Sequence, residues 1–245
     1  MVQTQVIFRD LGSKGYKDAW EYQELLLNQN VQLKAEWRNA QGSPGTRTDS
    51  EDRLQTTNYL LFVEHPPVFT LGKSGQMSNV LIGQEQMTER GIEFFKTNRG
   101  GDITFHGPGQ LVGYPVLDLE QFYTDIGRYL RSIEEVIIRT LADYGIIGER
   151  SKGETGVWID PDQPGRERKI CAIGVRCSRW ITMHGFAFNV NTELSYFDHI
   201  VPCGIQNKKV TSLKQELGFA PDMAEVKRRV MTHFENVFAT QLLVE

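Results

Sequence analysis

A glycine-rich stretch at residues 99–110 constrains the fold of this chain more than any other part of the sequence. Four glycines and one proline occur within these twelve residues, between two apolar runs. Glycine adopts backbone angles that are closed to other residues, and it lets a ligand approach the main chain closely. Gly100-Gly101 therefore predicts a tight turn with accessible N–H groups, residues 103–106 predict a short strand, and Gly107-Pro108-Gly109 predicts a second turn.

This pattern predicts a small concave surface with Arg99 and His106 at its two ends. Spacing alone leaves a second interpretation open, in which the stretch is an ordinary hairpin with glycine-rich corners. It is not a phosphate-binding P-loop, because no Gly-Lys-Ser or Gly-Lys-Thr sequence follows the glycines.

Hydrophobic periodicity predicts an α+β fold. Apolar residues recur at helical spacing over 16–30, 126–144 and from Pro221 onwards. Apolar or alternating runs predict strands at 6–8, 59–63, 68–71, 111–119, 157–159, 169–177 and 180–190. We expect one domain over residues 1–245, with a mixed, mostly antiparallel β-sheet flanked by helices.

Three local signals refine this expectation. Pro115 lacks an N–H group, so its strand should lie at a sheet edge or contain a bulge. Ser178-Arg179 predicts a hairpin turn between two strands. Ser212 and Gln215 resemble a capping box, and Gly218 should end the short helix that follows.

Residues 37–57 have no hydrophobic period and few apolar anchors. This composition predicts a surface loop inserted into the domain. Two roles stay open for this loop: it is a lid over a site, or it has no function.

Composition narrows the function classes. The 245 residues are 40% hydrophobic, which is enough for one large core, and the formal charge is −4. A nucleic-acid binder usually carries a basic surplus, and no apolar run approaches the ~20 residues of a membrane span. The start of the sequence also lacks a secretory signal pattern. We therefore expect a cytoplasmic protein that binds neither nucleic acid nor membranes.

The three cysteines differ in their surroundings. An odd number argues against a disulfide framework. Cys171 and Cys177 lie within an apolar strand, where a thiol usually behaves as a small buried hydrophobe. Cys203 lies between Pro202 and Gly204, outside any periodic element, where a stiff turn can present it to a pocket. No closely spaced pair of ligands predicts a zinc site, so we expect neither a metal nor another cofactor.

The glycine-rich stretch resembles the signature of the lipoate-biosynthesis octanoyltransferases, a branch of the biotin/lipoate protein ligase superfamily. The matching pattern is Arg-Gly-Gly-x-x-Thr-Phe/Tyr-His-Gly-Pro-Gly-Gln, followed by Leu-Val-Gly-Tyr-Pro at 111–115. Further segments that resemble the family, in the same order, are 65–72, 169–174, 184–190 and 201–205. The resemblance implies a ligase-like fold and the transfer of an octanoyl group to protein.

The resemblance also implies roles for particular residues. Cys203 would be the nucleophile that carries the acyl group, and Lys169 would stabilise its thiolate, since a free cysteine has a pKa of about 8.5. Three segments would contact the substrate, and Phe105, Ile173 and Phe186 would form the walls of a channel for the acyl tail. Their residues are Arg99, Gly100, Gly101, Asp102, Ile103, Thr104, Phe105, His106, Ala172, Ile173, Gly174, Gly185, Phe186 and Ala187.

The implied donor is octanoyl-acyl carrier protein. The implied acceptors are lysines on the lipoyl domains of 2-oxoacid dehydrogenase complexes and on the glycine-cleavage H protein.

Three other functions stay open on the sequence alone. An ATP-dependent lipoate or biotin ligase would not need the cysteine. A cysteine hydrolase would pair Cys203 with His184 or His199 and release free acid. A binding module for acylated carriers would not depend on Cys203 at all.

Overall fold

The computed structural model describes residues 3–41, 56–201 and 209–245. Within these ranges the helices are α1 (Tyr16–Gln41), α2 (Gln84–Glu89), α3 (Ile126–Ala142), α4 (Leu213–Leu217) and α5 (Met223–Phe238). The strands are β1 (Thr4–Ser13), β2 (Tyr59–Glu64), β3 (Val68–Leu71), β4 (Glu93–Lys96), β5 (Ile103–His106), β6 (Gln110–Val116), β7 (Val157–Ile159), β8 (Arg168–Ser178), β9 (Ile181–Asn189), β10 (Lys209–Val210) and β11 (Thr240–Val244).

Two sheets organise the described part of the chain. The larger has the strand order β10-β8-β9-β6-β2-β1-β11, and β7 also pairs with β8. In it β1 runs parallel to β2 and β11, and β10 runs parallel to β8, while the remaining pairs are antiparallel. The smaller sheet has the order β4-β3-β5. The predicted fold class, a mixed sheet flanked by helices, is confirmed.

Helices cover both faces of the larger sheet, which explains the continuous apolar run in β2. Phe62 packs in one core cluster with residues of α3 and α5. Its neighbour Leu61 packs in a second cluster with Leu26 and Leu27 of α1. Because successive side chains of a strand point to opposite faces, a strand covered on both sides has to be apolar throughout.

The first helix is longer than its sequence pattern predicts. It continues to Gln41, so the predicted loop is wrong for residues 37–41, and residues 42–55 of that predicted insertion lie outside the described ranges. Lys34 ties the second half of this helix to the fold. Its ammonium lies 2.8 Å from the carboxylate of Asp118 and 3.0 Å from that of Glu120. These ion pairs join residues that are far apart in the sequence, so the hydrophobic periodicity of the helix does not predict them.

Pro115 lies within a central strand, and the prediction of an edge position is wrong. The strand β6 pairs with β2 on one side and with β9 on the other, but the ladder with β9 covers only residues 110–113 of β6. The carbonyl oxygen of Pro115 accepts a hydrogen bond from the hydroxyl of Thr182, and the N–H of His184 donates to Gln23 of α1. Side chains thus replace the ladder bonds that a proline interrupts.

The predicted hairpin and the predicted end of α4 at Gly218 are confirmed, although the hairpin turn lies one residue later than the predicted Ser178-Arg179. Arg179 and Trp180 have φ angles of 51° and 68°, and they connect β8 to β9 as a two-residue hairpin turn. The hydroxyl of Ser212 accepts a hydrogen bond from the N–H of Gln215, and Gly218 ends α4 with φ of 78°. The strand β11, which pairs with β1, was not predicted.

We predict that Lys34→Ala lowers the free energy of unfolding by about 3–5 kcal/mol. The side chains of Lys34 and Asp118 are only 9% and 6% exposed, so removing the lysine leaves a buried carboxylate without its counter-ion. Urea unfolding followed by circular dichroism measures the change.

Lys17→Ala is the matched control on the same helix. Its ion pair with Glu21 is about two-thirds exposed on both sides, and such pairs contribute about 0.5 kcal/mol or less. Equal losses for the two variants would contradict the structural importance of the Lys34–Asp118 pair.

Candidate active site

A cavity of about 660 Å³ lies between the glycine-rich stretch and the strands β8 and β9. All of the predicted substrate-contacting residues except Phe105 line this cavity, and so does Lys169. The fold therefore brings three distant sequence segments, around residues 100, 173 and 186, to one concave surface.

The glycine-rich loop lies directly on β8. The N–H of Gly100 donates to the carbonyl oxygen of Val175 over 2.9 Å. A methyl group at Gly174 would lie 2.7 Å from the carbonyl oxygen of Gly100, and one at Gly72 would lie 2.3 Å from that of Gly101. Both glycines are needed for this approach, since real Cβ atoms do not come within 3.0 Å of backbone. The glycine-rich stretch thus forms one wall of the cavity by close backbone packing.

Arg99 holds the glycine-rich loop in place by hydrogen bonds to its main chain and to Thr70. One of its terminal nitrogens donates to the carbonyl oxygen and hydroxyl of Thr70 and to the carbonyl oxygen of Asp102, and the other donates to Gly100. The residue is only 8% exposed. Arg99 lines the cavity as predicted, and its described hydrogen bonds organise the main chain of the loop.

A buried chain of hydrogen bonds links this loop to the strand that carries Lys169. The His106 ring contacts the hydroxyl of Thr70 at 3.2 Å and the side-chain oxygen of Gln110 at 2.8 Å. Gln110 donates to Asn189, which donates to the carbonyl oxygen of Thr211. The N–H of Thr211 in turn donates to the carbonyl oxygen of Lys169 over 3.0 Å. Burial, together with nearby positive charges, holds the pKa of His106 well below its usual range.

His184 and His65 are also buried as neutral rings. The ring of His184 bonds the side-chain oxygen of Asn98 at 2.7 Å, and burial lowers its pKa to about 3. The Nδ1–H of His65 donates to the carbonyl oxygen of Lys14, so its Nε2 accepts from the hydroxyl of Tyr114. Burial lowers the pKa of His65 to about 4. His184, considered above as a partner for a cysteine nucleophile, is committed to Asn98 in this structure.

Phe105 does not line the cavity, and the prediction that it forms a channel wall is wrong. Its ring stacks on Tyr196 with a centroid separation of 4.6 Å and contacts Phe69 and Phe197 in a separate core cluster. Thr104 and His106, on either side of it in β5, line the cavity, whereas the Phe105 side chain shares the separate cluster with Ile103, two residues away on the same face of the strand. Phe186 and Ile173 do lie in the wall.

Lys169 lies in the cavity wall next to a carboxylate that the sequence analysis missed. Its ammonium nitrogen is 3.6 Å from Glu154 and lies over the ring of Trp158, 4.5 Å from the centroid. Tyr16, Tyr114 and Asn189 also line the cavity without having been predicted. In the sequence, Glu154 lies between Gly153 and Gly156, just before the predicted strand at 157–159. This position is the only local feature that could have identified it as a site residue.

Burial disfavours ionisation of the two described cysteines. The thiol of Cys171 is fully buried, which raises its pKa, and partial burial raises the pKa of Cys177. Both are therefore poor nucleophiles near neutral pH. Cys203 lies outside the described residues, as does the rest of 202–208.

Two features are absent from the described ranges, 3–41, 56–201 and 209–245. No helix in them is long and apolar enough to cross a membrane. The same residues contain no group of three or more His, Cys, Asp or Glu side chains placed to hold a metal ion.

Solved structures define the class to which this fold belongs. The bi-partite lipoate protein ligase of Thermoplasma acidophilum aligns with a TM-score of 0.69, at 15% identity, over 99% of this chain and 87% of its own. Lipoate-protein ligase A bound with ATP aligns with a TM-score of 0.67, at 13% identity, over 100% of this chain and 89% of its own. At such low identity these alignments establish the lipoate-ligase fold and nothing more.

Sequence comparison assigns the family. The model of the lipoyl protein ligase A/B catalytic domain matches residues 16–235, so the chain belongs to that family. The octanoyltransferase of Flavobacterium psychrophilum is 55% identical over 94% of this chain and 95% of its own length. That of Flavobacterium johnsoniae is 53% identical over 98% and 99%. Within the family the chain is an acyltransferase of the octanoyltransferase group, as its motifs predicted.

We predict that the protein loses stability as the pH falls from 6.5 towards 4. An unfolded histidine has a pKa of about 6.5, so below that pH the unfolded state binds protons that buried His65 and His184 do not. Each of these two histidines should therefore cost about 2 kcal/mol at pH 5 relative to pH 7.5. Urea unfolding at the two pH values measures the loss.

His184→Gln tests the contribution of one ring, because glutamine keeps a hydrogen-bond donor for Asn98 but does not titrate. The variant should lose about 2 kcal/mol less than the parent protein between pH 7.5 and pH 5. The same pH dependence in parent and variant would show that His184 does not contribute.

Proposed function

We propose that this enzyme transfers an octanoyl group from acyl carrier protein to the ε-amine of a specific lysine on lipoyl domains, through a thioester on Cys203. The observation that carries the proposal is the cavity itself. Its walls combine the three segments that the family resemblance implies for substrate contact, and Lys169 lies among them. The relatives named octanoyltransferase, at more than 50% identity, support the acyl group.

The shape and chemistry of the cavity suit an eight-carbon chain with a polar head. Phe186, Ile173 and Val112 supply apolar wall, whereas the backbone of the glycine-rich loop supplies polar groups. Gly174 and Gly185 also line the cavity, and each lacks a side chain where other main chain packs against it, the carbonyl of Gly100 and that of Gly113 respectively. A small-molecule site typically combines apolar walls with a few placed polar groups in this way.

In the first half-reaction, the thiolate of Cys203 attacks the thioester carbonyl carbon of the donor. A new carbon–sulfur bond forms, the carbon–sulfur bond to the carrier breaks, and the carrier thiol leaves with a proton. Lys169 would stabilise the thiolate by its positive charge and exchange that proton. Val210 pairs with Lys169 across β10 and β8 and lines the same cavity. It follows Cys203 by seven residues in the sequence.

In the second half-reaction, the neutral amine of the acceptor lysine attacks the Cys203 thioester. A carbon–nitrogen bond forms, the carbon–sulfur bond to Cys203 breaks, and the amine proton passes to a base at the site. A thioester is a suitable intermediate because it stays reactive towards an amine. Two half-reactions at one nucleophile imply ping-pong kinetics.

The proposed acceptors are the lipoyl domains of 2-oxoacid dehydrogenase complexes and the glycine-cleavage H protein. The bi-partite lipoate protein ligase of Thermoplasma acidophilum is described as part of a lipoylation system with its E2 lipoyl domain, which supports a lipoyl domain as acceptor. The donor is the one that the resemblance of the motifs implies, and the relatives named octanoyltransferase support the acyl group that it carries.

Intact mass spectrometry tests the nucleophile directly. After incubation with octanoyl-acyl carrier protein and without ATP, the parent protein should gain one octanoyl group. Cys203→Ser should gain none within the same time, because a serine hydroxyl is far less ionised than a thiol. Lys169→Ala should acylate at least about tenfold more slowly at pH 7, since a shift of one unit in the thiol pKa changes the thiolate fraction tenfold.

Cys177→Ser is the matched control, because it removes another thiol of the same chain and should acylate as the parent does. An adduct on Cys171 or Cys177 would contradict the assignment of Cys203. A requirement for ATP would favour a ligase, and release of free octanoate without transfer to an added lipoyl domain would favour a hydrolase.

A further inference from the structure

A strip of small side chains crosses three strands of the larger sheet along the cavity. Ala172 of β8 pairs with Ala187 of β9, which pairs in turn with Val112 of β6, and all three line the cavity. Gly174 and Gly185 form the next pair on the same face of β8 and β9, and they line the cavity as well. Residues two apart on a strand share a face, so these five positions form one surface without a bulky side chain.

This strip has the length that an eight-carbon chain needs. Neighbouring strands lie about 4.8 Å apart, so the path from β8 across β9 to β6 is about 10 Å long. An extended polypeptide advances about 1.2 Å per backbone bond, and at that rate the carbon chain of an octanoyl group spans about 8–9 Å. Lys169 precedes the strip on β8 and lines the same cavity. An acyl chain whose carbonyl lies on the Lys169 side therefore ends over β6.

Tyr16, at the start of α1, lies beside the β6 end of this strip. Its ring stacks on that of His106, with centroids 5.9 Å apart, and the His106 ring bonds the side chain of Gln110. Tyr16 also meets the ring of His65 edge-on at 5.3 Å, and His65 bonds the hydroxyl of Tyr114. Gln110 and Tyr114 lie two residues before and after the last residue of the strip, and both line the cavity with Tyr16. Tyr16 therefore closes the cavity at this end.

The hydroxyl is the part of Tyr16 that is left to meet a ligand. The ring packs against Phe95 and Trp20 as well as the two histidines, and the residue is only 2% exposed. Among the described residues, no group donates to this hydroxyl or accepts from it. Burial raises the pKa of Tyr16 to about 12, against the opposing effect of Arg99, so the hydroxyl keeps its proton near neutral pH. This end of the cavity thus carries a hydrogen-bond donor that the described part of the protein does not pair.

We propose that Tyr16 is a specificity-determining residue of the acyl transfer, whose hydroxyl limits the acyl chain to about eight carbons. The inference rests on the proposed function, because it places the acyl carbonyl on the Lys169 side of the cavity. An octanoyl chain ends short of the hydroxyl, so a water molecule still bonds to it. A chain two carbons longer covers the hydroxyl with methylene groups and leaves a buried donor without a partner, which disfavours that substrate.

Single-turnover acylation by octanoyl- and decanoyl-acyl carrier protein, followed by intact mass, tests this role. The parent protein should react at least about tenfold faster with the octanoyl donor, since a donor left unpaired in a site typically produces discrimination of this order. Tyr16→Phe removes only the hydroxyl. Its rate with the octanoyl donor should stay within about twofold of the parent rate, whereas the octanoyl-to-decanoyl ratio should fall at least about fivefold.

Tyr129→Phe is the matched control, because it removes another buried hydroxyl. Tyr129 packs in the core cluster with α3 and α5, on the other face of the larger sheet, and does not line the cavity. This variant should keep the parent ratio. Tyr16→Phe should unfold at the parent temperature, because its hydroxyl has no bond to lose within the described ranges.

Three results would overturn the role of Tyr16. The first is a parent protein that does not distinguish the two donors, and the second is a Tyr16→Phe variant that keeps the parent ratio. The third is a ratio that falls as far in Tyr129→Phe as in Tyr16→Phe. A lower unfolding temperature of Tyr16→Phe would also contradict the proposal, because it would show that the hydroxyl is bonded within the protein.

The two proposals fail in different ways. If neither donor acylates the parent protein, the proposed function fails and the role of Tyr16 fails with it. If the octanoyl group is transferred but the ratio does not respond to the hydroxyl, only the chain-length role falls.

Discussion

The contact between the glycine-rich loop and β8 is the constraint on which the site depends. It brings the backbone of Gly100 and Gly101 onto Gly174 and Gly72, at distances that no larger residue tolerates. Arg99 stabilises the same arrangement by donating to several carbonyl oxygens of the loop and its neighbours. Hydrogen bonds from a charged donor are stronger than those between neutral groups, so this one guanidinium can hold several carbonyl groups of the loop in place. The wall of the cavity formed by the glycine-rich loop therefore depends on close packing of main chain.

The electrostatic character of the cavity follows from what is buried around it. His65, His106 and His184 are all neutral rings whose hydrogen bonds are made within the protein. Because these rings are neutral, the fixed charges among the described residues that line the cavity are those of Arg99, Asp102, Lys169 and Glu154. In the proposed mechanism, the acyl chain would lie between apolar side chains while the chemistry takes place near the Lys169–Glu154 ion pair. This division is common in sites that bind an apolar tail and act on a polar head.

The sequence was sufficient for much of this fold, and the failures have physical reasons. Short-range signals such as the hairpin turn at Arg179 and the cap at Ser212 depend on local backbone chemistry, so they were predictable. The full length of α1 and the central position of Pro115 depend on tertiary partners, Lys34 with Asp118 and His184 with Gln23. Phe105 was misplaced because a family motif identifies a segment, whereas the pleat of the strand decides which of its side chains face the ligand. Glu154 was missed because its partner, Lys169, lies fifteen residues away in the sequence, and only the fold brings the two side chains together.

The pairing of β1 with β11 has a consequence for how the protein acquires its structure. Thr4 lies opposite Thr240 in a parallel register, so this edge of the larger sheet joins segments separated by more than 230 residues. Such a pairing closes a very long loop. The chain loses the conformational entropy of that loop before the contact between the two strands stabilises it. During synthesis on the ribosome, β1 has to wait for nearly the whole polypeptide before its outer neighbour exists. The β8–β9 hairpin, whose strands are joined by a two-residue turn, can form while that edge is still incomplete.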